Sequence, residues 1–294
     1  MAKKIIVLGA NGMAGHVITI GLMADSAYEV ISVARSISVV NPTLLMDATD
    51  FDSLATLIKN TNADVVINCI GLLNKTAEDN PDQAILLNSY LPHFLESQTK
   101  NTNTKVIHIS TDCVFSGEEG GYNEKSFKNG KGFYAQSKAL GELDNTKDLT
   151  FRTSIIGPEL NKKGIGLFHW FANQSGTING YTNAYWTGVT TIELLNAIKI
   201  AIDENLIGLY HLVNDCNISK FNLVNIFNHV FNKNLTINPY DGYKVDKSLV
   251  NTRNDFSLKV KSYEEMITEM KNWIQSNQEL YPHYNNISNT KCGY

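Results

Sequence analysis

The stretch Lys4-Ile5-Ile6-Val7-Leu8-Gly9-Ala10-Asn11-Gly12-Met13-Ala14-Gly15 decides how the chain is read. A short apolar run that stops at a glycine predicts a parallel strand buried on both faces. Residues 13–23 follow with helix formers and an apolar face, so the glycines fall in a tight strand-to-helix turn. Working outward, residues 29–34 and 44–46 predict two more strands. Residues 51–59 predict a helix with Asp50 as its N-cap. Strands at 64–68 and 105–110 flank a helical stretch over about 82–98, which Pro92 should kink. Strands alternating with helices predict an α/β fold with a doubly wound parallel sheet.

The second half is less regular. It predicts a helix over 132–144, strands at 149–152 and 208–213, and amphipathic helices over 219–231 and 263–276. The expected division is a dinucleotide-binding domain over 1–155 and a smaller C-terminal lobe over 156–294, mainly for substrate. Segments near 180–205 should return to the first domain. The asparagine-rich tail from Gln278 reads as either loosely ordered or a docking segment. A hydrophobic content of 43% over 294 residues supports a large core, and a formal charge of −4 gives no basic footprint for nucleic acid. Four separated cysteines, Cys69, Cys113, Cys216 and Cys292, form no metal-ligand spacing and suit a reducing compartment. No apolar run is long enough to cross a membrane. A cytoplasmic protein is expected, with its oligomeric state open, a homodimer included.

A dinucleotide needs what the glycine turn offers. Gly9 permits the turn, Gly12 admits the pyrophosphate, and Gly15 lets helix and strand pack closely. Asn11 and Met13 flank the helix N-terminus, whose free N–H groups attract phosphate. The spacing resembles the Rossmann arrangement, which is the expected fold. At the end of the second strand, where an acid would bind ribose hydroxyls, stand Arg35 and Ser36. A guanidinium there suits a 2′-phosphate, so NADPH is expected, with NADH as the alternative. Asp47 and Ala48 follow the third strand and should lie near the adenine. Cys69, Ile70 and Gly71 close the fourth strand on the nicotinamide side.

Ser110-Thr111-Asp112 ends the next strand, and Tyr134 and Lys138 lie four residues apart on one helical face. Ketone reduction needs a proton on the developing alkoxide, and a phenol near an ammonium group is suited to supply it. Thr111 would hold the carbonyl oxygen. Seven histidines show no metal spacing, and His108 and His211 read as satisfied core residues.

With the glycine turn, three further segments carry a resemblance: His108-Ile109-Ser110-Thr111-Asp112-Cys113-Val114-Phe115-Ser116-Gly117, the Tyr134/Lys138 pair with Gly141-Glu142, and Arg152-Thr153-Ser154. The chain resembles extended short-chain dehydrogenases of the dTDP-4-dehydrorhamnose reductase family. The resemblance implies Thr111, Tyr134 and Lys138 as the catalytic set and Asn88 as its support. It also implies a lobe closing over a sugar nucleotide, dTDP- or UDP-linked, with Asp246-Lys247-Ser248-Leu249 as a late substrate motif. Substrate contacts are then expected at Asp112, Cys113, Val114 and Ile155, with Lys247, Arg253 or Lys75 at the diphosphate. Cys113 and Ile155 stand where the family usually has tyrosine and tryptophan, which widens the sugar pocket. A UDP-2-acetamido-4-keto-6-deoxy-L-hexose is therefore the rival substrate. An epimerase or dehydratase, or a non-catalytic dinucleotide-binding subunit, is the alternative to a reductase.

Overall fold

The structure, a computed structural model, describes residues 2–36, 40 and 43–285. Its first half runs β1 (Lys3–Leu8), α1 (Met13–Met23), β2 (Tyr28–Ala34), β3 (Thr43–Leu45), α2 (Phe51–Thr61), β4 (Val65–Asn68), α3 (Asn74–Asp79), α4 (Pro81–Ala84), α5 (Leu91–Thr99) and β5 (Lys105–Thr111). The second half adds α6 (Gly132–Leu140), β6 (Leu149–Thr153), β7 (Ile155–Ile156), α7 (Leu167–Ala172), β8 (Thr177–Trp186), β9 (Val189–Thr190) and α8 (Thr191–Asp203). It ends with β10 (Gly208–His211), β11 (Ile218–Ser219), α9 (Lys220–Val230), β12 (Thr236–Asp246) and α10 (Tyr263–Ser276).

Seven of these strands form one sheet in the order β10-β6-β5-β4-β1-β2-β3, and every pairing in it is parallel. Alternate residues explain the unbroken apolar runs. Ile5, Val7, Val65 and Ile67 enter the core shared with α1 and α8. Ile6, Leu8 and Val66 enter the core on the other face, with α2 and α5. Both faces are covered, so both parities must be apolar. Because the strands are parallel, their carboxyl ends share one edge, where doubly wound folds bind ligands. Beyond this sheet, β8 pairs antiparallel with β11 and parallel with β12.

The Asp50 N-cap forms as expected, accepting from the Ser53 amide. The helix expected over 82–98 is instead broken. Residues Ile85–Tyr90 form a π turn between α4 and α5. Pro92 has no N–H for the Asn88 carbonyl, and the chain widens before it. The helix expected over 132–144 stops at Leu140. A Cβ on Gly141 would lie 1.9 Å from the Asn88 carbonyl oxygen, so the glycine marks the close approach of α6 to the π turn. Of the tail, residues 278–285 dock: Tyr281 and Tyr284 are buried. Tyr281 Oη lies 2.7 Å from His16 Nε2 on α1. The rest of the tail, with Cys292, lies outside the described residues. No described helix is long and apolar enough to cross a membrane.

Candidate active site

At the carboxyl edge the glycine turn is built as a cradle. Gly9 has φ +83°, and a Cβ on Gly15 would lie 2.1 Å from the Gly9 carbonyl oxygen, so neither position takes a side chain without displacing α1. Gly12 is the N-cap of α1 and no side chain caps it, which leaves the first helical N–H groups for a ligand. Asn11 donates to the Ser36 carbonyl at 3.1 Å, while its buried Oδ1 has no partner. An open helix start, glycines that admit close approach and an orphaned acceptor fit a dinucleotide diphosphate.

Asn11, Gly12 and Met13 line a cavity of about 580 Å³ together with Cys69, Ile70, Gly71, Thr111, Asp112, Cys113, Tyr134, Lys138 and Ile155. Residues from four strand ends and one helix, far apart in sequence, thus meet in one cleft. Arg35 and Ser36 are exposed at the end of β2 and do not line it. Neither do Ala48, which is buried, or Asp47, whose carboxylate accepts from the Thr49 amide and hydroxyl. Three expected substrate residues stand elsewhere. Val114 is fully buried in a cluster with Phe115, Tyr122, Val213 and Leu249, because the turn after β5 rotates it inward. Arg253 pairs with Asp255 and donates to the Ile207 and Leu209 carbonyls. It therefore sits by the start of β10, at the sheet's opposite edge. Lys75 pairs with Asp79 at the surface.

Tyr134 is partly buried in the cavity wall. Burial, then the neighbouring Cys113 and Asp112, push its phenol above the usual value, while a hydrogen bond with the Thr111 hydroxyl works the other way. The expected lowering by Lys138 is not found. The Lys138 amine donates to the Ile109 carbonyl at 2.7 Å and lies 3.2 Å from His108 Nε2, while burial lowers it to about 8. At neutral pH the phenol therefore keeps its proton, the form a general acid requires. Burial also pushes the Cys69 thiol up to about 12, so it stays an inert thiol.

The resemblance implied one support, Asn88, and the others escaped the sequence reading. Asn88, freed by the π turn, accepts from the Leu72 amide and donates to the Leu72 carbonyl and to Ser137 Oγ. It ties the loop after β4 to α6. Glu78 on α3 accepts from the Phe133 and Tyr134 amides, capping the helix that Lys131 cannot cap. Glu142 accepts from Ser110 Oγ at 2.7 Å and forms a two-pronged pair with Arg152. Arg152 lies 2.7 Å from His211 Nε2, so one buried network fixes the ends of β5, β6 and β10. A second cavity of about 520 Å³ shares Asp112, Cys113 and Ser154 with the first and is lined by Lys247, Lys220, Trp170, Tyr181 and Tyr243. Lys220 Nζ lies 5.1 Å from the Trp186 ring centroid. His169, adjacent to Trp170, is instead a core residue bonded to Tyr284. No cluster of metal-ligating side chains occurs among the described residues.

Comparison with known proteins agrees with this geometry. The family model described as RmlD substrate binding domain matches residues 3–285. A dTDP-4-dehydrorhamnose reductase of Mycolicibacterium smegmatis is 34% identical over 116 residues, 39% of this chain and 32% of that protein. The chain thus spans about a third of that relative's length in the match. A dTDP-4-dehydrorhamnose reductase of Aggregatibacter actinomycetemcomitans is 24% identical over 72% of this chain and 74% of its own length. The crystal structure of dTDP-4-dehydrorhamnose reductase from Bacillus anthracis in complex with NADP superimposes with a TM-score of 0.79 at 21% identity, covering 92% of this chain and 99% of that one. With a family match over almost its whole length, the chain belongs to the RmlD substrate binding domain family.

Proposed function

We propose that the chain is an NADPH-dependent reductase of the C4 ketone of a dTDP-linked 4-keto-6-deoxy sugar, serving deoxysugar synthesis for a surface polysaccharide. One observation carries this reading: Thr111, Tyr134 and Lys138 line the same cavity as the uncapped glycine turn. Gly9, Asn11, Gly12, Met13 and Gly15 would hold the diphosphate of NADPH, which supplies the hydride when bound. Cys69, Ile70 and Gly71 form the wall beside Lys138. Arg35, exposed at the end of β2, favours a 2′-phosphate, so NADH should serve less well.

Tyr134 Oη holds the proton that the developing alkoxide takes, and its raised proton affinity keeps it loaded at neutral pH. Thr111 Oγ1, beside the phenol, orients the carbonyl oxygen. Residues 156–294 serve mainly as the substrate lobe, while α8 packs back against α1. Asp112, Cys113 and Ile155 face the sugar, and Lys247 and Lys220 line the adjoining cavity on the side suited to a diphosphate. Relatives named for dTDP-4-dehydrorhamnose favour the dTDP sugar over the UDP-2-acetamido one. The complete Thr111/Tyr134/Lys138 set argues against a non-catalytic subunit.

The test is NADPH oxidation by the purified protein with dTDP- and UDP-linked 4-keto-6-deoxy sugars. Stoichiometric oxidation with the dTDP sugar, lost by about 10²-fold or more in Tyr134→Phe, is expected. No oxidation with either sugar, or full turnover by Tyr134→Phe, overturns the reading.

A further inference from the structure

His108 is fully buried in the middle of the sheet, yet one of its ring nitrogens faces the amine of Lys138. The other faces Asn68: Asn68 Nδ2 lies 3.2 Å from His108 Nδ1. The orientation of the Asn68 amide is fixed from its far side, because Asn68 Oδ1 accepts from the Ile70 amide at 3.1 Å. The NH₂ end of Asn68 therefore points at the imidazole, and it can only donate. A neutral imidazole has one donor and one acceptor. With Nδ1 accepting from Asn68, Nε2 must carry the hydrogen and present it to Lys138 Nζ at 3.2 Å.

That order suits a neutral amine, whose lone pair accepts from Nε2–H while one N–H donates to the Ile109 carbonyl. An ammonium group has no lone pair. It would set donor against donor, either at Nε2 or, after a tautomer change, at Nδ1 against the Asn68 amide. A buried polar conflict of this kind lowers the proton affinity by roughly one to two pH units.

We propose that His108 is a positioning residue that, through the donor chain Asn68–His108–Lys138, sets the protonation of Lys138 and so the pH range in which Tyr134 and Lys138 work. The proposal rests on these two being the reactive pair. Other groups face Lys138 as well. Cys69, after β4, stays a thiol. Glu142, after α6, favours the ammonium, but its charge is taken up by Arg152 and Lys128. His93, on α5, adds to the electrostatic pressure that keeps His108 neutral. Tyr134 stands one turn earlier on α6 and remains a neutral phenol. Burial acts on Lys138 in the same direction.

The experiment titrates the Lys138 Nζ resonance in protein carrying ¹⁵N-labelled lysine, in the parent, His108→Gln and Asn68→Ser. A glutamine amide or a serine hydroxyl can turn either way, so each removes the imposed donor order while keeping a hydrogen bond. The midpoint should rise by about one pH unit, a tenfold gain in proton affinity, in either variant that folds. The pH profile of NADPH oxidation should shift in the same direction. An unmoved midpoint in the folded variants overturns the proposal, since a purely structural histidine would not set it. Because the titration needs no substrate, a shifted midpoint without turnover would refute the sugar reductase and leave the donor chain standing.

Discussion

Replacing Arg152 by leucine should destabilise the protein and reverse the sign of the contribution that Glu142 makes to its response to acid. Both side chains of the Arg152–Glu142 pair are 2% exposed, and the closest contact is 2.6 Å. Removing the arginine leaves the Glu142 carboxylate buried with only Ser110 Oγ and the half-exposed Lys128 as partners. It also leaves His211 Nε2 without its donor. Breaking one side of a buried ion pair costs about 3–5 kcal/mol. For a chain of this size that corresponds to a fall in Tm of roughly 5–8 °C. In the parent, although burial opposes the charged form, Arg152 holds the Glu142 carboxyl below its usual 4.5. Its contribution is therefore present above pH 4.5 and is lost as the pH falls. In Arg152→Leu, burial dominates and the carboxyl titrates above 4.5. The contribution of Glu142 to stability is then greatest below 4.5 and declines as the pH rises, the opposite of its sign in the parent. Thermal unfolding followed by circular dichroism from pH 4 to 8 reads both effects. The double variant Arg152→Leu/Glu142→Leu should regain most of the loss, because no charge is left stranded. A loss under about 1 kcal/mol, or a double variant no better than the single one, refutes the reasoning.

Gly15→Ala should keep the fold but weaken NADPH binding at least about tenfold, because its Cβ would lie 2.1 Å from the Gly9 carbonyl oxygen and α1 must move. A fluorescence titration checks this, and unchanged affinity would contradict it. Tyr281→Ala should cost about 3 kcal/mol or more, since the buried ring joins α10, through Trp273, to His16 on α1. Denaturant unfolding measures that loss, and one below about 1 kcal/mol would show the tail to be dispensable. Burial lowers His16 and His211 from 6.5 to about 4. The folded state should therefore lose stability as the pH falls from 6.5 toward 4, and a Tm flat across that window would be inconsistent with neutral buried imidazoles.

What could be read beforehand was local. The run before Gly9, the turn to Gly15 and the four-residue spacing of Tyr134 and Lys138 each report their own geometry, because strand and helix periods are intrinsic to the backbone. Long-range placement was not legible. Arg253 is as cationic as Lys247 and only six residues away, yet it lies at the opposite edge of the sheet. Nothing in either residue type encodes which edge receives it. Val114 belongs to the same motif as Thr111, but the short turn after β5 sends it into the core. Glu78 caps α6 from 56 residues away, and the pairing of His108 with Lys138 spans 30. Helix length was overestimated at Gly141 because helix propensity takes no account of a neighbouring carbonyl. Pro92 signalled a kink, since a proline must leave one carbonyl unpaired, but not the π turn that forms before it.

The most direct measurement supplies NADPH deuterated at C4 of its nicotinamide with the dTDP-linked 4-keto-6-deoxy sugar and locates the label in the product. A hydride donor held beside Tyr134 should leave one deuterium on sugar C4 for each NADPH oxidised, and Tyr134→Phe should slow the transfer by about 10²-fold or more without abolishing NADPH binding. A product formed without deuterium at that carbon, or with no net NADPH oxidation, would contradict the reductase.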